Sequence, residues 1–177
     1  MTGKEFLNSL AHGRSDIIQL LLDILAETES RYCLIGGLAV NAYVDPVVSL
    51  DVDIVIAAEN VEATSIAAKA RGLKVESFER SVNISSPRSD LRIQLQIDPR
   101  YQDFIPRGEL KDVLGYEMRV AKLEDVLQGK VWAYLDRTRR RSKRQKDLAD
   151  ILRIIEAHPQ LAAELPRSLN EELENKQ

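Results

Sequence analysis

Cysteine is almost missing from this chain of 177 residues, in which Cys33 stands alone. An intramolecular disulfide and a cysteine-built zinc cluster are therefore both excluded, and a reducing compartment suits the single thiol. No apolar run approaches the length needed to span a bilayer. The opening MTGKEFLNSLAHGRSD lacks the apolar stretch of a secretion signal, so a cytoplasmic protein with no membrane association is expected. Histidine is scarce as well. His12 and His158 both fall near the ends of predicted helices, and neither is expected to act in catalysis. No repeat or low-complexity segment is present.

What is there has the balance of an ordinary globular protein, with 44% hydrophobic and 30% charged residues. The length allows one well-buried domain, with or without a helical annex. A formal net charge of −3 argues against wholesale coating by nucleic acid, although a local patch can contradict a global sum.

Residues 14–29 repeat apolar side chains at helical spacing, and Ser15 or Asp16 can cap the start. YCLIGG predicts a short buried strand ending in glycines, and LAVNAYV a brief helix stopped near Asp45-Pro46. LDVDIVIAA alternates and then becomes wholly apolar, as a central strand does. Residues 60–71 predict a helix closed by Gly72. LKVESFE, SVNISS and DLRIQLQID follow as strands, with YEMRVAK as one more. LEDVLQGKVWAYLDR and SKRQKDLADILRIIEAHP then predict two long helices, and RSLNEELENKQ a frayed polar end. Strands concentrate in the first two thirds, so the expected fold is an α/β core (α+β in class) with a helical cap. The expected divisions are a core over 1–121, a C-terminal helical part over 122–166 and a polar tail over 167–177.

Two carboxylates interrupt the apolar strand. Side chains alternate along a strand, so Asp51 and Asp53 share a face while Val52 enters the opposite layer. At about 7 Å apart they repel unless a cation intervenes, and carboxylates suit a hard ion such as Mg²⁺ or Mn²⁺. Gly36 and Gly37, at a strand-to-helix turn, lack Cβ and let backbone amides approach a phosphate. Together these two features point to phosphoryl or nucleotidyl transfer.

IGG, followed after 13 residues by DVDI, resembles the signature of the polymerase-β-like nucleotidyltransferase superfamily. More narrowly, it resembles the minimal bacterial branch that holds the nucleotidyltransferase toxins of abortive-infection and toxin–antitoxin systems. Ala39 keeps that branch's alanine after the glycine pair, and Ser49 stands where an Arg-x-Thr-like stretch precedes the aspartates. EDVLQGKVWAYLDR and KRQKDLADI are similar to its late motifs, a lysine on one helix and Lys-Asp-x-x-Asp on the next. The resemblance spans roughly residues 32–155.

The resemblance implies a mixed, twisted nucleotidyltransferase-type sheet flanked by helices. It implies that Gly36 and Gly37 hold the triphosphate and that Asp51 and Asp53 bind two Mg²⁺ ions. Nucleotidyl transfer from an NTP to an acceptor hydroxyl would then release pyrophosphate. It further implies that Ser49, Lys130, Lys146 and Asp147 contribute to nucleotide binding, with Asp150 one turn beyond Asp147. The alternatives are a solvated Lys130, and Asp147 and Asp150 paired with nearby arginines. Trp132 and Tyr134 are expected to pack rather than to stack on a base.

Active members of the superfamily carry a third carboxylate on the strand beside the aspartate pair. In DLRIQLQID the matching positions are Gln94 or Gln96, which are not acidic. Asp98 has the right parity but sits at the strand end against Pro99, and it is the candidate third acid. Between Arg137 and Lys146, seven of ten residues are Lys or Arg, a patch able to meet a triphosphate or an RNA backbone. By the same resemblance tRNA is the first acceptor to consider, and a cognate antitoxin protein is an equally open partner. The alternative reading is a catalytically degenerate fold that binds nucleotide, RNA or protein, and a metal-independent structural protein is a third.

Overall fold

Strand β2 (Asp51–Ile56) can lie at the middle of a sheet because its second half is apolar on both sides. Val52, Ile54 and Ile56 alternate onto one face and Val55 onto the other, and all four are fully buried. The structure is a computed structural model that describes residues 2–12 and 15–174. Its chain divides into two units, Met1–Lys122 and Leu123–Gln177.

The first unit begins with α1 (Gly3–Leu10), α2 (Ile17–Glu27), β1 (Tyr32–Ile35) and α3 (Gly36–Val40). After β2 come α4 (Val61–Ala70), β3 (Lys74–Ser77), β4 (Ser81–Ser86), β5 (Ser89–Gln96), α5 (Phe104–Arg107), β6 (Glu109–Val113) and β7 (Tyr116–Val120). Among the described residues, seven strands form one mixed sheet in the order β3-β4-β5-β2-β1-β7-β6. β2 runs parallel to β5, and β1 parallel to β7. The remaining neighbours are antiparallel.

Helix α2 buries Ile17, Ile18, Leu21, Ile24 and Leu25, the stripe that its helical spacing predicts. Of the two candidate caps, Asp16 is the one used, its carboxylate accepting the Gln19 N–H at 3.0 Å. Residue 14, where the predicted helix begins, lies outside the described residues. Gly72, at φ +78°, follows α4 in the left-handed conformation expected of a closing glycine.

Three elements of this unit, α1, the short α5 and β6, were given no range from the sequence. Helix α1 is fixed by a capping box in which Thr2 and Glu5 each bond the other's backbone N–H. Strand β6 escapes hydrophobic patterning because it is a sheet edge: Leu110 is exposed and only Val113 is buried.

The second unit contains α6 (Leu123–Leu135), α7 (Arg141–Ala157) and α8 (Arg167–Glu174). Val126, Leu127, Val131 and Tyr134 of α6 are buried, as are Leu148, Ile151 and Ile154 of α7. The expected polar tail needs correction over 167–174, which is helical; residues 175–177 lie outside the described residues. Leu169 is buried, and the Tyr134 hydroxyl donates to Glu172 Oε1 at 2.9 Å. With the Asn170 side chain also donating to the Ala162 carbonyl at 2.8 Å, an apolar anchor and polar ties hold a segment whose composition alone suggests fraying. Among the described residues, no helix is long and apolar enough to cross a membrane.

Candidate functional site

Asp51 and Asp53 do share one face at the start of β2, both only partly covered, while Val52 between them is buried. Beside them β1 ends at Ile35, which pairs with Asp53, and the next residue is Gly36 at φ +72°. A Cβ on Gly36 would overlap Asp53 Oδ2 and stand 3.0 Å from the Asp53 Cβ. The glycine is thus required twice, for a backbone conformation that side chains resist and for the room taken by the carboxylate. Gly37 follows in the first turn of α3.

Ser49 lies just before the strand. Its Oγ donates to the Asp51 carbonyl and accepts the Asp51 N–H, each at 3.3 Å. The hydroxyl therefore fixes the entry into β2. Upstream, the Asn41 side chain grips the backbone of Val47 from both sides, donating to its carbonyl at 2.8 Å and accepting its N–H at 2.9 Å. The connection between α3 and β2 is pinned at both ends.

The parallel register with β5 decides what faces the carboxylates: Arg92 lies opposite Asp51 and Gln94 opposite Asp53. Arg92 Nε contacts Asp51 Oδ1 at 2.9 Å, with side-chain exposures of 69% and 25%. Gln94 donates through Nε2 to Asn83 Oδ1 on β4 at 3.3 Å. Gln96 turns toward the strand end, where its Oε1 accepts the N–H groups of Ile97 and Asp98.

Asp98 is not brought to this face. It lies four residues beyond Gln94, which is about 13 Å along an extended strand. There its buried carboxylate accepts from Arg100, with a closest side-chain contact of 3.1 Å, and from Arg80 at 3.3 Å. Burial raises its pKa, but the bonds from Arg100 and Arg80 outweigh that and hold it below the ordinary carboxylate range. The geometry makes Asp98 the clamp of the turn that follows β5.

Within the second unit, the two late-motif residues Lys130 and Asp147 meet in a buried ionic cluster. Lys130 Nζ lies 3.1 Å from Asp147 Oδ1 and 2.6 Å from Asp150 Oδ2. Arg139 reaches the other oxygen of Asp147 at 3.1 Å, and Arg153 the other oxygen of Asp150 at 2.8 Å. Burial lowers the Lys130 pKa, yet the two carboxylates outweigh it and the net shift is upward, so the ammonium stays charged. Asp147 and Asp150 are thus paired with arginines, and Lys130 is buried rather than solvated. Lys146 and Arg141 are exposed on the same helix, and Arg137 and Arg140 are exposed in the segment before it.

Among the described residues, no group of three or more His, Cys, Asp or Glu side chains is arranged around a metal position. The donor set at β2 is two carboxylates with an amide in register. It fits a hard divalent cation that keeps several waters. It lacks the third negative charge that a fully acidic site supplies.

Arg92 was visible in the sequence only as a residue on the aspartate side of its strand. Its pairing with Asp51 depends on the β2–β5 offset, which alternation does not reveal. Arg139 and Arg153 were visible only as nearby arginines able to pair with Asp147 and Asp150.

Three solved structures share the architecture at low identity. The antibiotic-resistance factor ANT(2'')-Ia is 14% identical with a TM-score of 0.62, the match covering 90% of each chain. The lincosamide antibiotic adenylyltransferase LnuA is 12% identical with a TM-score of 0.56, covering 80% of this chain and 98% of that one. An antigenic nucleotidyltransferase-like protein from Paracoccidioides brasiliensis is 18% identical with a TM-score of 0.52, covering 84% and 75%. At these identities the likeness establishes the nucleotidyltransferase fold alone. No curated protein sequence matches the chain. The family model described as nucleotidyl transferase AbiEii toxin, type IV TA system, matches residues 19–177, and the chain belongs to that family.

Proposed function

We propose that the protein moves a nucleotidyl group from a nucleoside triphosphate to an acceptor hydroxyl, working in the cytoplasm. The observation that carries this reading is the Gly36–Asp53 contact beside Asp51, which joins a strand-to-helix turn to two carboxylates on one face. Asp51 and Asp53 would hold Mg²⁺ or Mn²⁺, with Gln94 able to add an amide oxygen. When bound, the cation would offset the triphosphate's charge and polarise the attacked phosphorus. Gly36 and Gly37 lend the backbone of the turn to the phosphates, and Ser49 holds the strand entry so that Asp51 keeps its place.

In the reaction the acceptor oxygen forms a bond to the α-phosphorus, the bond from that phosphorus to the bridging oxygen breaks, and pyrophosphate leaves. The acceptor's proton passes to solvent, because Gln94, in register with Asp53, takes up no proton. Lys130 and Asp147 belong to the buried cluster that stiffens α6 against α7. Lys146 and the exposed arginines offer a cationic surface to phosphates. By family membership tRNA is the acceptor to test first, with action as a toxin opposed by an antitoxin protein.

One observation favours a second reading. Gln94 stands in register with Asp53 on the strand expected to carry the third acid, and Asp98 is engaged elsewhere. A fold that binds nucleotide without turning it over has that arrangement. Incubation with each labelled NTP, Mg²⁺ or Mn²⁺ and total tRNA separates the two. Transfer of label that disappears in Asp51→Ala supports the enzyme. Measurable NTP binding with no transfer from any of the four nucleotides leaves the binding module.

A further inference from the structure

Arg92 lies directly on an aspartate of the pair, Nε to Asp51 Oδ1 at 2.9 Å. Asp51 and Arg92 are Cα partners in the parallel ladder, so the register brings the two side chains within reach of each other. The pair nevertheless lies at the surface, with 69% of the arginine side chain exposed. An ion pair of that exposure is weak and readily exchanged. Two aspartates on one strand face repel in the absence of a cation, and the guanidinium relieves that repulsion.

We propose that Arg92 is an exchangeable counter-ion. It holds Asp51 while the site lacks a divalent cation, yields the carboxylate when one binds, and then turns its planar donors to the triphosphate. This rests on the nucleotide-binding reading above. The charges support it. Asp51, Asp53 and Arg92 sum to −1, which attracts a cation and repels a triphosphate. With a divalent cation added the sum becomes +1, and the released guanidinium has the fork geometry that matches phosphate oxygens. Arg92 therefore makes nucleotide binding follow cation binding, and it brings positive charge to the strand that lacks a third acid.

The test is calorimetric titration of the wild type, Arg92→Gln and Arg92→Lys with Mn²⁺ alone, and then with tripolyphosphate or ATP in saturating Mn²⁺. Thermal unfolding of each variant checks that it is folded. Arg92→Gln is expected to bind Mn²⁺ two- to fivefold more tightly, the range of an exposed ion pair removed as competitor. It is expected to bind tripolyphosphate and ATP about tenfold more weakly, the size of one charge-assisted contact. Arg92→Lys should fall between, keeping charge without the fork. A folded Arg92→Gln with unchanged Mn²⁺ and tripolyphosphate affinities would overturn the proposal. So would weakened binding of a short RNA with tripolyphosphate unaffected, since that assigns Arg92 to the acceptor. Failure of the wild type to bind Mn²⁺ at all would overturn both this proposal and the reading beneath it. Mn²⁺ uptake that is lost in Asp51→Ala and indifferent to Arg92→Gln would overturn the proposal alone.

Discussion

Gly36 and Asp53 occupy the same corner of the fold: the space that a side chain would take on the glycine is filled by the aspartate's carboxylate. The glycine therefore does more than ease a turn. It lets the end of β1 close over the carboxylate of β2, so that turn and acid form one rigid unit.

Gly36→Ala is expected to lose about 1–3 kcal/mol of stability, because the new methyl meets Asp53 and the backbone keeps φ near +72°. Urea unfolding measures the loss. Mn²⁺ titration should also show weakened binding, since Asp53 must move to admit the methyl. An alanine variant with wild-type stability and Mn²⁺ affinity would show that the corner is loose.

Gln94→Glu places a third carboxylate in register with Asp53. Without metal it should cost about 0.5–1 kcal/mol through like-charge repulsion across the strands. Mn²⁺ should more than restore that stability, with an affinity raised about tenfold by the added charge. Thermal unfolding in chelator and in Mn²⁺ reads both effects. Equal shifts in wild type and variant would mean that position 94 does not face the bound cation.

Asp98→Asn is expected to destabilise the fold by about 1.5–3 kcal/mol at neutral pH, since the buried carboxylate accepts from Arg100 and Arg80. The folded-state pKa is depressed, so this contribution is present above the ordinary carboxylate range and fades as pH falls through the lower folded-state value. Wild type and variant should therefore converge in stability toward strongly acid pH. Denaturant unfolding between about pH 7 and pH 3 follows the convergence.

Lys130→Met strands Asp147 and Asp150 without their shared ammonium and should cost about 3–5 kcal/mol. The lysine pKa is raised in the fold, so its contribution is complete below about pH 10.4 and is lost only as pH rises through the folded-state value. Chemical denaturation at neutral and alkaline pH tests both statements. A wild type that weakened between pH 7 and pH 9 through this lysine would contradict the assignment.

Leu169→Ala should cost about 2–4 kcal/mol, because this side chain anchors α8. Loss of amide-exchange protection over 167–174 is the specific readout. A near-neutral substitution would return the segment to the frayed end that its composition suggests.

The glycine pair, the aspartate pair and their spacing were legible in the sequence because they depend on local rules. A glycine follows a strand, alternate residues share a face, and an apolar run lies at a sheet's centre. Asp147 and Asp150 are likewise one turn apart on one helix by local geometry alone. What alternation could not supply was the offset between β2 and β5, since parallel pairing is fixed by packing of residues some 40 positions apart. That offset puts Arg92 against Asp51 and Gln94 against Asp53, whereas the place of Asp98 at the strand end was already legible from Pro99. Nor could the sequence reveal that Lys130 is buried between two carboxylates, because that depends on how α6 turns against α7. The sequence thus determined which chemistry the chain carries. Only the tertiary structure decided which charges meet, because long-range register and helix rotation are set by the core as a whole.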